Sequence, residues 1–326
     1  MFEEGDWRDK KLLGGKGAGL AQMTQLGLPV PAGFIITTEA CRDFYKPVKE
    51  EIDVLVKELE RNPTPSTRDR IISEIWGIID SLSLPEGVME QTRECMAKLE
   101  EKIGRKFGDP NNPLLVSVRS GAPISMPGMM DTVLNLGLND EVVKGLSKLT
   151  GNEWFAYDAY RRFLQMFGKI VLGINEKLFN DRLDEVKRKY NVKYEVELPI
   201  DGVKEVVEEF KEVIKREKRE FPQDPWEQLK LAISAVFRSW MNPRAIYYRM
   251  ANKVTPEVAD STAVNIVAMV FGNVGWNSGT GVVFTRDVAT GENRLYGEFL
   301  PNAQGEDVVA GVRTPYPIEK LKDISP

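Results

Sequence analysis

Hydrophobic spacing along the chain changes character several times. Leu114-Leu115-Val116-Ser117-Val118 places four apolar residues in five, two of them β-branched, and reads as a buried strand that ends at Arg119-Ser120-Gly121. Phe34-Ile35-Ile36 is a second short strand. Before it, Leu20, Met23, Leu26 and Leu28 recur at helical spacing, and Gly27, Pro29 and Pro31 stop that helix. Thr37 or Thr38 serves as N-cap for the next helix, with Glu39 in its first turn. Charged helices are predicted over 47–61, about 67–82 and 86–103, with Pro85 near the start of the last. The breaker-rich loop Gly108–Pro113 then delivers the chain into the strand at 114.

From Asn139 to about Asp224 strand signal is almost absent. Trp154, Tyr157, Tyr160, Leu164, Phe167 and Ile170 follow helical spacing and predict an aromatic face packed into a small bundle. Residues 176–190 and 202–220 are rich in Lys and Glu, as solvated helix faces are. Another long helix is predicted over 226–252, interrupted by Pro243. The last section turns β-rich. Ala263–Phe271 is an apolar strand, Gly272–Gly281 a loop, and Val282–Thr285 with Arg294–Phe299 are hairpin arms about a turn at Gly291. Val308–Val312 reads as a short strand, and Ile318–Lys322 opens a helix. The fold class is therefore α+β or α/β.

Composition narrows the chemistry. The chain has 326 residues and no histidine, which excludes a Ser-His-Asp triad and a His-ligated zinc site within it. Acidic residues outnumber basic ones, 49 to 44, so there is no electrostatic footprint for nucleic acid. Cys41 and Cys95 lack CxxC spacing and read as reduced thiols. With no run of 18 apolar residues and no leader peptide, the expected setting is the cytoplasm, with no membrane contact.

Several residues carry candidate chemistry. Gly14-Gly15-Lys16-Gly17 is expected to form a glycine loop whose backbone N–H groups approach an anion, with Lys16 adding a mobile charge. It is not a Walker A loop, because Lys10 stands where that pattern needs Gly and Gly17 where it needs Ser or Thr. A flexible turn into a helix fits the same residues. Arg119 at a strand end suits a phosphate clamp, and equally an arginine paired with a nearby carboxylate. The Gly272–Gly281 loop fits a lid over a nucleotide or an ordinary sheet connection. Met126, Met129 and Met130 lie in a loop, as gap-fillers between moving units or as a plain hydrophobic anchor. Together, a Gly-Lys-Gly loop, a strand-end arginine, a helical insertion and a late β-rich unit match the organisation of an ATP-grasp nucleotide site.

Three segments carry a resemblance: Leu13–Cys41, Leu114–Asn139 and Asn302–Pro315. They resemble the N-terminal nucleotide-binding domain of the pyruvate, phosphate dikinase family. The first segment also admits phosphoenolpyruvate synthase, a water dikinase. Those enzymes usually carry an acidic continuation after the Arg-Ser, whereas Ser125–Leu138 here follows the phosphate-dependent family. The resemblance implies an ATP-grasp-like fold: residues 1–138 with 225–268 as a first α/β subdomain, 139–224 as a helical insertion, and 269–326 as a truncated β-rich subdomain. It implies that Lys16 and Arg119 contact phosphate and carry catalysis, that Gly14, Gly15, Gly17, Gln304 and Glu306 belong to the nucleotide site, and that Met269, Val270 and Phe271 line the adenine. It implies ATP and Mg²⁺ as cofactors, with the metal ligands beyond the end of this chain. Inorganic phosphate, a swivelling phosphohistidine domain and a pyruvate-binding barrel of the same polypeptide are the implied partners, in a homodimer. The chain alone is expected to be inactive and to bind ATP weakly. A non-catalytic nucleotide-binding module is the alternative from another class.

Overall fold

A computed structural model describes residues 1–126, 128–309 and 313–324. Helix α1 (Lys10–Gln25) leads into strand β1 (Gly33–Ile36) and helices α2 (Thr38–Tyr45), α3 (Lys49–Arg61), α4 (Pro65–Asp80) and α5 (Val88–Ile103). Short strands β2 (Lys106–Phe107) and β3 (Pro113–Leu114) precede β4 (Val116–Gly121) and β5 (Thr132–Leu136). Helices α6 (Val142–Thr150), α7 (Glu153–Ile170), α8 (Glu176–Lys189), α9 (Ile200–Arg216), α10 (Pro225–Arg238) and α11 (Pro243–Ala251) follow. The chain then enters β6 (Ala263–Ala268), β7 (Gly279–Phe284), β8 (Tyr296–Pro301), α12 (Gly305–Val309), β9 (Tyr316–Pro317) and α13 (Leu321–Ile324). Several helix starts are fixed by polar caps. The Asp9 carboxylate accepts from the Leu12 N–H at 2.9 Å, and the Asn152 side-chain oxygen accepts from Phe155 N–H at 3.0 Å. Asp224 does the same for Trp226, with Pro225 at the first helical position.

The central sheet has the order β1-β6-β4-β5, and each neighbouring pair is antiparallel. That makes the fold α+β, because an α/β sheet needs parallel strands joined by crossovers. Side chains alternate between faces along each strand. On one face Phe34, Val116, Val118, Val264, Ile266 and Ala268 enter the main core, where Ile233, Val236 and Phe237 of α10 are also buried. Each fully buried Val, Ile or Phe among them contributes roughly 1.5–3 kcal/mol by leaving water. The other face carries Ser117, Arg119 and Gly121 of β4 beside Val267, Asn265 and Ala263 of β6, and α1 lies over it. Its apolar contribution is small, with Leu13, Ala18 and Ala21 packed with Ile35. One face holds the fold together; the other presents polar groups.

The aromatic face expected on α7 is present. Phe163 and Phe167 surround Phe221, and Phe179 of α8 meets Phe210 of α9 edge to face at 5.1 Å. This helical layer is continuous with the sheet: α7 packs on β5, and Asn135 Nδ2 donates to the Ala159 carbonyl at 3.2 Å. The late hairpin also forms, with β7 and β8 antiparallel and Gly291 at φ 77° in the connection.

Several expectations need correction. Arg119 does not end its strand, since β4 continues through Ser120 to Gly121, paired with β6. Thr132–Leu136 forms β5, a strand that the sequence pattern did not reveal. The apolar run from Ala263 leaves the strand after Ala268, so Met269–Phe271 lie beyond it. Gly279 and Gly281 belong to β7 rather than to the loop before it. Val308 belongs to helix α12, not a strand, because the Asp307 carboxylate accepts from Gln304 N–H at 2.9 Å and turns the chain into a helical start. Pro127 and residues 310–312 lie outside the described residues. Thr37 occupies the N-cap position of α2 without a side-chain bond, while Thr38 Oγ1 donates to the Lys11 carbonyl at 2.6 Å.

Candidate functional site

The Gly14–Gly17 segment is not an open loop. α1 breaks at a single residue, Gly14, with φ 70° and ψ 161°, and resumes as helix through Gly15, Lys16 and Gly17. Gly15 N–H donates to the Ala122 carbonyl at 2.8 Å, so that donor is taken by the chain itself. The glycines have a packing role. A Cβ on Gly14 would stand 1.7 Å from the Gly121 carbonyl oxygen, and one on Gly17 2.9 Å from Asn265 Oδ1. They let α1 approach β4 and β6 closely, and this brings Lys16 to the polar face of the sheet.

Arg119 rises from the middle of β4, half-buried, and its Nε donates to Ser117 Oγ at 3.1 Å. Neither it nor Lys16 forms an ion pair among the described residues. The Lys16 side chain reaches solvent, yet protein crowds its ammonium. Desolvation first, and then the Arg119 charge, push its pKa below the ordinary lysine value. Desolvation likewise lowers Arg119, and the negative charge of Glu306 opposes that fall. The fold thus brings Lys16, Arg119 and Glu306 into one electrostatic neighbourhood. Neither cation has an ion-pair partner among the described residues, and the carboxylate that acts on Arg119, Glu306, is bound to Arg162.

Glu306 lies in the first turn of α12 and has its own partner. Arg162 of α7 donates through Nη1 to Glu306 Oε1 and to Asp307 Oδ1, both at 2.9 Å, and through Nε to Asp158 Oδ2 at 2.8 Å. Burial works against this guanidinium, but Asp158, Asp307 and Glu306 hold its pKa well above the arginine value. Arg162 escaped the sequence reading. Its signal was the Asp158–Arg162 spacing of four residues on a helix otherwise read for its aromatic face.

The remaining predicted residues frame this cluster. Gln304 is buried, and its Oε1 accepts from Gly272 N–H at 3.0 Å, tying the start of α12 to the segment after β6. In that segment Met269 N–H donates to the Leu115 carbonyl at 2.9 Å. Val270 is exposed, and Phe271 packs edge to face on Phe155 of α7 at 5.0 Å. Met126 is buried and Met129 and Met130 pack against the main core, so the methionine segment is anchored. Beside it, burial raises the Asp131 carboxyl pKa, and Asn242 Nδ2 donates to that group at 3.0 Å. Among the described residues no three acidic, cysteine or histidine side chains converge as a metal site needs.

The chain is similar to known proteins along nearly its whole length. The family described as "Pyruvate phosphate dikinase, AMP/ATP-binding domain" matches residues 10–323. The chain is 50% identical over 323 residues to a pyruvate, phosphate dikinase of Entamoeba histolytica, covering 99% of this chain and 33% of that protein. It is 48% identical over 327 residues to one from Clostridium symbiosum, covering 100% and 33%. A chloroplastic relative from Mesembryanthemum crystallinum is 49% identical over 324 residues, covering 99% and 30%. The chain therefore spans about a third of the length of these relatives.

Proposed function

The chain belongs to the pyruvate phosphate dikinase AMP/ATP-binding domain family, and we propose that Lys16 and Arg119 hold the phosphates of ATP within an ATP-grasp-like site of such a dikinase. The observation that carries the reading is a pair of cations, Lys16 on α1 and Arg119 on β4, that meet on the polar face of the sheet with no ion-pair partner among the described residues, the nearby Glu306 being bound to Arg162. Arg119 stands on a central strand, where the backbone is rigid. A planar guanidinium there meets two phosphate oxygens in fixed geometry, while the lysine acts as a movable point charge. Glu306, restrained by Arg162, acts on the arginine through its charge, while Ser117 Oγ holds the arginine Nε. The divisions at 1–138 with 225–268, 139–224 and 269–326 belong to the same proposal, as does an adenine wall formed by Met269–Phe271.

In this reading a histidine from another domain attacks the β-phosphoryl group of ATP. The bond between the β-phosphorus and the oxygen that bridges it to the α-phosphate breaks, AMP leaves and the histidine carries pyrophosphate. Inorganic phosphate then takes the outer phosphoryl group, and the phosphohistidine passes the other to pyruvate. The part of this chain is to hold and orient the polyphosphate. Mg²⁺ would add charge neutralisation, but the described residues do not gather a ligand set for it, so no step is assigned to a metal here. The reading is tested in the polypeptide carried to the length of its relatives. Mg·ATP binding by calorimetry is expected, and loss of binding in the Lys16→Ala and Arg119→Ala variants. A full-length protein that ignores ATP would sink it.

The lysine also predicts a pH profile. Its ammonium sits below the ordinary value of 10.5, so it loses its proton earlier than a free lysine does. Only the charged form attracts phosphate. ATP affinity in the full-length protein should therefore decline with rising pH, with a midpoint below 10.5. Lys16→Arg should remove that step, because arginine stays protonated throughout. The dissociation constant measured across the alkaline range decides: an unchanged profile in the arginine variant removes Lys16 from the site.

A further inference from the structure

Asn265 lies in β6 directly across from Arg119, and paired residues of an antiparallel ladder leave the sheet on the same face. Its side chain is fully buried. Nδ2 makes one long bond, 3.4 Å, to the Arg119 carbonyl oxygen, and Oδ1 has no donor among the described residues. Buried amides are normally satisfied, and the middle of a sheet is better filled by valine or threonine. Packing alone gives no reason for an asparagine here.

Its surroundings do. Gly17 of α1 presses on one side, where a Cβ would come within 2.9 Å of Oδ1, and Gly121 of β4 on the other, where a Cβ would come within 2.5 Å of Nδ2. Lys16 precedes Gly17, and its own Cβ would stand 3.4 Å from a Cβ on Gly121. The amide therefore fills the wedge between the helix that carries Lys16 and the strands that carry Arg119. We propose that Asn265 is a positioning residue that sets the separation of Lys16 and Arg119 and, being uncharged, leaves both cations available to a polyphosphate. This rests on the reading of those cations as a phosphate site. A carboxylate in the same place would pair with them. A shorter neutral side chain would let α1 settle closer to the sheet and misalign them.

The test compares Asn265→Asp and Asn265→Ser with wild type in the full-length polypeptide, reading the ATP dissociation constant and the melting temperature without ligand. Asn265→Asp is expected to weaken ATP binding by at least roughly tenfold while the melting temperature holds or rises, because the new carboxylate pairs with the cations. Asn265→Ser should weaken binding by about tenfold through misalignment, whatever the fate of the aspartate variant. Falls in melting temperature with ATP binding unchanged in the folded protein would make the asparagine merely structural and overturn the proposal. If wild type binds no ATP, the phosphate-site reading fails and takes this one with it; if wild type binds and both variants match it, only this one fails.

Discussion

Arg119→Ala in the full-length polypeptide is expected to slow the ATP-dependent half-reaction by roughly 30- to 1,000-fold, a loss of about 2–4 kcal/mol of transition-state stabilisation. The expectation follows from where the guanidinium stands. Ser117 Oγ holds its Nε, and the strand beneath is paired on both sides, by β5 and β6. The group is therefore oriented before ligand arrives and loses little freedom on meeting phosphate. The same substitution should not unfold the protein. Arg119 forms no ion pair among the described residues, and its removal relieves repulsion with Lys16. The unliganded melting temperature should hold or rise slightly, while the stabilisation that ATP confers on wild type disappears. Arg119→Lys should fall between, retaining charge but losing the fork. Near-normal half-reaction rates in the alanine variant would make the arginine structural.

The elements legible in the sequence were those with long, regular periodicity. α7 announced itself through aromatic residues at helical spacing, and the β7–β8 hairpin through two apolar arms about a turn. β5 was hidden because it follows a methionine-rich turn and carries Asn135, which takes φ 59°, a conformation strand residues avoid. α12 was hidden because its two valines look like a strand until Asp307 folds back onto the Gln304 N–H. The candidate site divides in the same way. Lys16 and Arg119 were visible as charges beside small residues. The Arg162 cluster was not, since its partners at 306 and 307 lie 144 and 145 residues away and only the tertiary fold brings them together. Motif reading also assigned the glycines the wrong local physics. It read them as a glycine loop around an anion or a turn into a helix, whereas Gly15 to Gly17 are helical and each glycine meets a different neighbour.

Two glycines of α1 should respond in opposite ways to the same substitution. Gly14→Ala is expected to cost at least about 4 kcal/mol of folding stability, near the top of what single substitutions do. Two effects combine. At φ 70° an alanine pays backbone strain that glycine avoids. Its Cβ would also overlap the Gly121 carbonyl oxygen at 1.7 Å, a backbone atom of a central strand that has no room to retreat. Relief requires α1 to lift from the sheet, carrying Lys16 away from Arg119, so ATP affinity should fall together with stability. Gly19, five residues along the same helix, has ordinary helical backbone, and a Cβ added there would meet nothing within 4 Å. Gly19→Ala should stabilise by about 0.5–1 kcal/mol through reduced freedom of the unfolded chain. Denaturant midpoints of the two variants, measured at constant slope, make the comparison. Equal small effects would mean that the glycines do serve as a pliable loop, and that α1 is not held against the sheet by close backbone approach.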